Sequence, residues 1–335
     1  MANDKSDGNT DLHVMIFAGP NGSGKTSLID EIRATGLATV KRVYPVPTAF
    51  INPDQVAKDL KGDFPTQDAR DEAAQRAAMR IRSEAMASKE PFAFETVMSH
   101  PSRINEMMQL KNQGYQLLFT FITTDDPETN VARVKFRYET GSTTGHYVPP
   151  EKVRERYHRT LALLPKAVEI ADAVYIYDNS ADFHKPRLQA VIEGDAKFSV
   201  AGDAKEWVYA RLIHPLQQRE RELEQLIVAL ENAGHQVDET NELAGEYTGP
   251  VLFRKQYFVA QLDQATSHAV VHDRLILDTF KELSSGAEPG YKQNEILTVR
   301  YSPSSAPVVR QKGATLPVKN SDDGTKNGNS KSRGR

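Results

Sequence analysis

Eight residues constrain this chain more than anything else in it: Gly19-Pro20-Asn21-Gly22-Ser23-Gly24-Lys25-Thr26, a match to G-x-x-x-x-G-K-[ST]. The apolar run Leu12-His13-Val14-Met15-Ile16-Phe17-Ala18 precedes it and reads as a buried strand. Ser27-Leu28-Ile29-Asp30-Glu31-Ile32 follows with apolar residues at helical spacing. In a strand-loop-helix of this kind the glycines turn successive backbone N–H groups inward on a phosphate, and the helix N-terminus adds partial positive charge. Lys25 is spaced to reach the β- and γ-phosphates, and the Thr26 hydroxyl to reach Mg²⁺. A glycine-rich turn with no ligand is the competing reading, and the flanking strand and helix argue against it.

From Leu12 to about Ser180, strand-like runs alternate with helical stretches. The strands are read at Leu12–Ala18, Thr48–Asn52, Phe92–Glu95, Gln116–Thr123 and Ala173–Tyr177. The helices are read at Ser27–Ala34, Asp68–Ser88, Pro101–Gln113, Pro127–Tyr138 and Pro150–Ala171. Such alternation predicts an α/β fold with a parallel sheet covered by helices on both faces, which binds ligands beyond the carboxyl ends of its strands. A hairpin is expected within Lys185–Val200, then helices over Glu206–Ile213 and Pro215–Ala233, the latter with the apolar face Leu216, Leu223, Leu226, Ile227, Leu230. That face is too short for a sustained heptad, so a connector helix packed on a domain is favoured over a coiled coil. After Gly245 the texture turns to β, at Val251–Arg254, Tyr257–Leu262, Ala269–His272, Ile296–Tyr301 and Pro307–Arg310, which predicts a small second domain of twisted strands, barrel-like in the closed form. The expected organisation is a disordered leader over 1–11, a kinase-like domain over 12–214 and a connector over 215–240. A small mainly-β domain over 241–310 and a disordered basic tail over 311–335 complete it.

Composition narrows the function classes. With 39% hydrophobic and 26% charged residues, the 335-residue chain has the balance of a soluble globular protein. A formal charge of −3 gives no global case for nucleic acid, leaving only the tail, with six basic and two acidic residues, as a candidate contact. Without cysteine, disulfides and thiolate metal sites are ruled out. The polar first residues and the lack of any long apolar run point to a cytoplasmic protein that does not enter a membrane.

Candidate chemistry sits at the strand ends. Thr48-Ala49-Phe50-Ile51 runs into Asn52-Pro53-Asp54, which puts Asp54 across from the phosphate loop, where an acceptor hydroxyl would approach. Asp54 as the N-cap of a helix starting at Gln55 is the structural alternative, and the two roles are compatible. Phe92-Ala93-Phe94-Glu95-Thr96 ends at the same edge in a carboxylate and a hydroxyl, suited to substrate hydroxyls or a magnesium-bound water, or else simply solvated. Arg133, Lys135 and Arg137 on one helix and Arg154, Arg156 and Arg159 on the next flank a glycine-containing segment, Glu139 to Pro149. That pattern suits a lid that brings arginines onto transferred phosphate. Arg137 and Arg156 are taken as the inward pair, the others as a solvated face. Asp178-Asn179-Ser180 borders an adenine pocket or forms a plain turn. The nine histidines show no metal-ligand spacing, and His146 alone lies in a suggestive place.

Taken together, the first ~200 residues resemble the zeta toxin family of P-loop kinases. The resemblance rests on Ile16 through Thr26, on Asn52-Pro53-Asp54 and on Phe92 through Thr96. It continues in Gly114-Tyr115, Arg137-Tyr138-Glu139-Thr140, Gly145-His146, Val148-Pro149, Arg156-Tyr157 and Asp178-Asn179-Ser180. It implies a P-loop kinase core with a helical lid, and ATP- and Mg²⁺-dependent phosphorylation of a UDP-N-acetyl sugar such as UDP-N-acetylglucosamine. It also implies an antitoxin protein as partner. Asp54 would be the base, Lys25 and Arg137 the phosphate clamps, Gly19 to Thr26 the nucleotide loop, Thr26 the metal-side hydroxyl, and Asn52, Glu95 and Thr96 the acceptor side. The sequence departs from the family after the aspartate, where Gln55-Val56-Ala57-Lys58 replaces an expected arginine, and the second lid arginine falls nearest to Arg156. More loosely, Tyr247 to Tyr301 resembles the KfrB domain of plasmid-borne proteins, which implies a docking module. Kinases of another nucleotide, sugar or nucleic-acid end, and a non-catalytic ATP-binding scaffold, are the competing functions.

Overall fold

A computed structural model of the chain describes residues 12–61, 63–141, 148–181, 184–193, 197–279, 290–303 and 305–312. The expected leader, the tail beyond 312 and the lid centre with His146 lie outside them. In chain order the first half runs β1 (His13–Ala18), α1 (Lys25–Thr35), β2 (Leu37–Ala38), β3 (Val43–Tyr44), β4 (Phe50–Ile51), α2 (Pro53–Asp59), α3 (Gln67–Ser88), β5 (Phe92–Thr96) and α4 (Ser102–Asn112). Then come β6 (Gln116–Thr123), α5 (Pro127–Glu139), α6 (Pro150–Ile170), β7 (Ala173–Asp178), β8 (Arg187–Glu193) and β9 (Lys197–Val200). The remainder is α7 (Glu206–Val208), a π-helical turn (Tyr209–Ile213), α8 (His214–Asn232), β10 (Val237–Asp238), β11 (Glu246–Arg254), β12 (Phe258–Leu262), β13 (Ala269–Asp273), α9 (Arg274–Thr279), β14 (Ile296–Ser302) and β15 (Ser305–Lys312).

Seven strands form the main sheet in the order β4-β5-β1-β6-β7-β8-β9, parallel from β4 to β7, with the β8–β9 hairpin added antiparallel. All six residues of β1 are buried, as a central parallel strand covered on both faces requires. Its side chains alternate between two cores. Val14, Ile16 and Ala18 pack with Ile104 and Met107 of α4 and Leu161 and Leu164 of α6, whereas Met15 and Phe17 pack with Leu28, Ile29 and Ile32 of α1. Asp126 accepts from the Glu128 N–H at 2.9 Å and Pro127 opens the first turn, which fixes the start of α5.

The second sheet, in the order β10-β13-β12-β11-β14-β15, has β10 and β15 at its edges and is therefore an open sheet rather than the closed, barrel-like form of the expected domain of twisted strands. Leu226 and Leu230 of α8 are fully buried against Phe258, Ala260 and Ala269 on one of its faces. From its other face Val251, Val259, Leu297, Val299 and Tyr301 join the core built on α4 and α6. A buried charge cluster crosses the same junction. Arg219 of α8 donates to Glu169 of α6 (2.7 and 2.9 Å) and to Asp273 of β13 (2.6 and 3.3 Å), while Lys166 Nζ lies 2.8 Å from Glu242 and 3.1 Å from Asp273. Among the described residues no helix is long and apolar enough to cross a membrane.

Candidate active site

The parallel registers align Ile51 with Phe94, Phe94 with Ile16, Ile16 with Phe119, and Phe121 with Ile176. Gly19, Asn52, Glu95 and Asn179 therefore emerge at one edge of the sheet, the carboxyl edge where such folds place ligands. Asn52, Glu95 and Asn179 border a cavity of about 930 Å³ that is also lined by Lys25, Thr26, Asp54, Lys58, Arg133, Phe136 and Arg137.

The loop after β1 is held from outside by its carbonyl oxygens. Asn130 of α5 donates to Asn21 O at 2.7 Å, and Asn179 donates to Ser23 O at 2.9 Å while accepting at its own carbonyl from Arg133 at 2.7 Å. Arg156 reaches the Asn21 side chain at 3.2 Å. These braces also explain two glycines. Gly22 (φ 80°) and Gly24 (φ 96°) occupy the left-handed region, and a Cβ would come within 2.5 Å of Asn130 O at Gly22 and 2.1 Å of Asn179 Nδ2 at Gly24.

Lys25 is buried, and its Nζ donates to Gly19 O (2.8 Å) and Pro20 O (3.0 Å) and lies 3.6 Å from Glu95 Oε1. Burial pushes the Lys25 ammonium below its ordinary range, against the pull of Glu95 and Asp54. Burial also raises the Glu95 carboxyl, and nearby Asp54 adds to that rise while Lys25 opposes it. Of the buried polar atoms without a hydrogen-bond partner among the described residues, two belong to this region: Ser23 Oγ inside the loop and Arg137 Nε on α5. Arg137 lines the cavity, and an orphaned guanidinium donor there fits a ligand carrying several oxygens, as a phosphate chain does. No group of three or more His, Asp or Glu side chains suited to a metal occurs among the described residues. A divalent cation here would rest on the exposed Thr26 hydroxyl together with ligand oxygens, and the loop composition fits that arrangement.

Asn52, not Asp54, caps the second-strand helix. Its Oδ1 accepts from the N–H groups of Asp54 (2.8 Å) and Gln55 (3.4 Å), and α2 begins at Pro53, two residues before the helix start read from sequence. Asp54 is consequently exposed to the cavity with no capping duty. Thr96 Oγ1 accepts from the Met98 N–H at 3.1 Å, a turn that closes the end of β5 and puts Met98 at φ 55°. Of the two arginines expected to point inward, Arg137 lines the cavity and Arg156 does not; Arg133 takes the second inner place. Asn130 was not singled out from sequence, because an asparagine in a helix gives no local sign of a carbonyl more than a hundred residues away. Lys58, one turn beyond Asp54, lines the same cavity and puts a cation in the stretch where the resemblance expects arginine.

The family model described as zeta toxin matches residues 8–186 of the chain. An uncharacterized protein of Haemophilus influenzae is 28% identical over 143 residues, which is 43% of this chain and 91% of that protein. Among solved structures, the AvrRxo1-ORF1:-ORF2 complex with ATP is similar at 16% identity and a TM-score of 0.43, covering 57% of this chain and 61% of that one. The PezAT chromosomal toxin–antitoxin system of Streptococcus pneumoniae is similar at 13% identity and a TM-score of 0.38, covering 69% and 90%. The family match ends before the second sheet begins.

Proposed function

Given that the chain belongs to the zeta toxin family, we propose that it transfers the γ-phosphoryl group of ATP, with Mg²⁺, to a ring hydroxyl of a UDP-N-acetyl sugar. In the proposed step the bond between the γ-phosphorus and the ADP oxygen breaks as one forms to the sugar oxygen. The hydroxyl proton passes to Asp54. Lys25 and Arg137 stabilise charge on the transferring group, and the loop N–H groups hold the β-phosphate. Mg²⁺, held through Thr26, would supply charge neutralisation on the phosphate oxygens.

The observation that carries this reading is the placement of Asp54. It faces the same cavity as Lys25 and Arg137 and is relieved of helix capping by Asn52. A non-catalytic scaffold has no need of a free carboxylate at the acceptor position. A cavity of about 930 Å³ lies near the upper end of roughly 300–1,000 Å³ for small-molecule sites, which favours a small acceptor over a nucleic-acid end. An antitoxin partner belongs to the proposal on the family's account, and docking is the role we propose for the second sheet. Incubating the purified protein with ATP, Mg²⁺ and a panel of UDP-sugars tests it. Mass spectrometry should find a UDP-N-acetyl sugar one phosphate heavier, and a product on other acceptors alone would remove the sugar assignment.

A further inference from the structure

Asn52 sits one residue past the paired Ile51 and Phe94 of adjacent parallel strands, which puts it beside Glu95. Its Oδ1 is committed to two N–H groups of α2, so its other amide atom must be the NH₂, and Nδ2 donates to Glu95 Oε2 at 3.0 Å. The opposite oxygen of Glu95 faces Lys25 at 3.6 Å. A single side chain thus fixes the start of the helix that carries Asp54 and one oxygen of the carboxylate beside the phosphate-loop lysine. We propose that Asn52 is a positioning residue that orients Glu95 in the cavity while aligning Asp54, coupling the two carboxylates of the acceptor side. The catalytic part of this inference rests on the proposed function.

The chemistry that singles out asparagine is its two-sidedness. Serine keeps an acceptor for the cap but is too short to donate to Glu95. Aspartate keeps the cap and turns a second oxygen on Glu95, replacing a donated hydrogen bond by repulsion. Besides Asn52, the charged groups that act on Glu95 are Lys25 from the loop, Asp54 from α2 and Arg137 from α5. Lys25 and Arg137 favour the ionised form, and Asp54 opposes it.

The test compares wild type, Asn52→Ser and Asn52→Asp. All three should unfold within a few degrees of one another, because each retains a capping oxygen. With ATP and UDP-N-acetylglucosamine, both variants should lose about tenfold or more in kcat/KM for the sugar while KM for ATP holds, the mark of lost orientation. Carboxyl-carbon NMR of the nucleotide-free protein, with Glu95→Gln identifying the signal, should show Glu95 titrating lowest in wild type, higher in Asn52→Ser and highest in Asn52→Asp. A role limited to capping predicts wild-type kinetics and one shared titration curve, and that result overturns the inference. Should wild type phosphorylate no UDP-sugar, the proposed function falls, yet the titration still decides whether Asn52 governs Glu95.

Discussion

Lys25 Nζ lies 3.6 Å from Glu95 Oε1 and, with the same three protons, donates to the carbonyls of Gly19 (2.8 Å) and Pro20 (3.0 Å). The lysine is thus tethered to its own loop and to the end of β5. A phosphate chain entering the cavity would compete for an ammonium whose charge burial already disfavours. Lys25→Ala should abolish nucleotide turnover, since the interaction with the γ-phosphate strengthens as charge develops on the breaking bond. Initial-rate assays on folded variant check this, and full ATP-dependent activity would sink the kinase reading.

Asp54→Asn should keep ATP affinity near wild type while transfer to the acceptor falls by at least about a hundredfold, the scale of a general base. Folding should survive, because the cap of α2 is made by Asn52 and not by Asp54. Calorimetric ATP binding and product formation, measured on the same preparation, separate the two effects. Transfer at the wild-type rate would shift attention to Glu95.

Arg219→Met should destabilise the protein by about 3–5 kcal/mol, because it leaves buried Asp273 with only Lys166 as counter-charge. Burial works to raise the Asp273 carboxyl, and Lys166 with Arg219 outweighs it and holds the group below its usual range. Arg154, paired with Glu128 at the surface, gives the contrast: Arg154→Ala should cost far less than Arg219→Met, because solvent screens the exposed pair. Urea unfolding of both variants reads the difference, and equal losses would mean the junction charges carry no special weight.

His272 makes acid stability predictable. It is fully buried between Tyr301, whose hydroxyl donates to Nδ1 at 2.9 Å, and Gln261, whose carbonyl accepts from Nε2 at 3.1 Å, and burial pushes its pKa down to about 3. Below the ordinary histidine pKa near 6.5 the unfolded chain takes up a proton that the folded chain refuses. The neutral imidazole's contribution is therefore fully present above that value and declines as pH falls toward 3, by about 1.4 kcal/mol per pH unit. His272→Gln should flatten this part of the stability–pH curve. An unchanged slope would show that other groups set it.

How far the sequence could be read depended on whether the information was local. The strands over Gln116–Thr123 and Phe92–Thr96 and the helices α3, α5 and α6 follow from runs and periods within one segment, because burial on both faces demands continuous apolar residues and packing on one face demands a helical stripe. Short elements escaped: the β2–β3 hairpin, β10 and α9 have too few residues to show a period, and pairing with Phe94 limits β4 to Phe50–Ile51. The place of Asp54 and Glu95 at one edge was legible, since parallel strands deliver their carboxyl ends together.

Which side chain does which task was not legible. That Asn52 caps and frees Asp54, that Asn130 and Asn179 press on Gly22 and Gly24, and that Arg133 faces the cavity in place of Arg156 are meetings of side chains from segments up to 156 residues apart. The sequence by itself determined the phosphate loop, the parallel sheet and the carboxylates at its edge, because these depend on residue type and spacing along one stretch of chain. Only the tertiary structure decided the braces behind the loop and the charge cluster that joins α6, α8 and β13. A hydrogen-bond partner is chosen by proximity after folding, and proximity between distant segments leaves no period in a single chain.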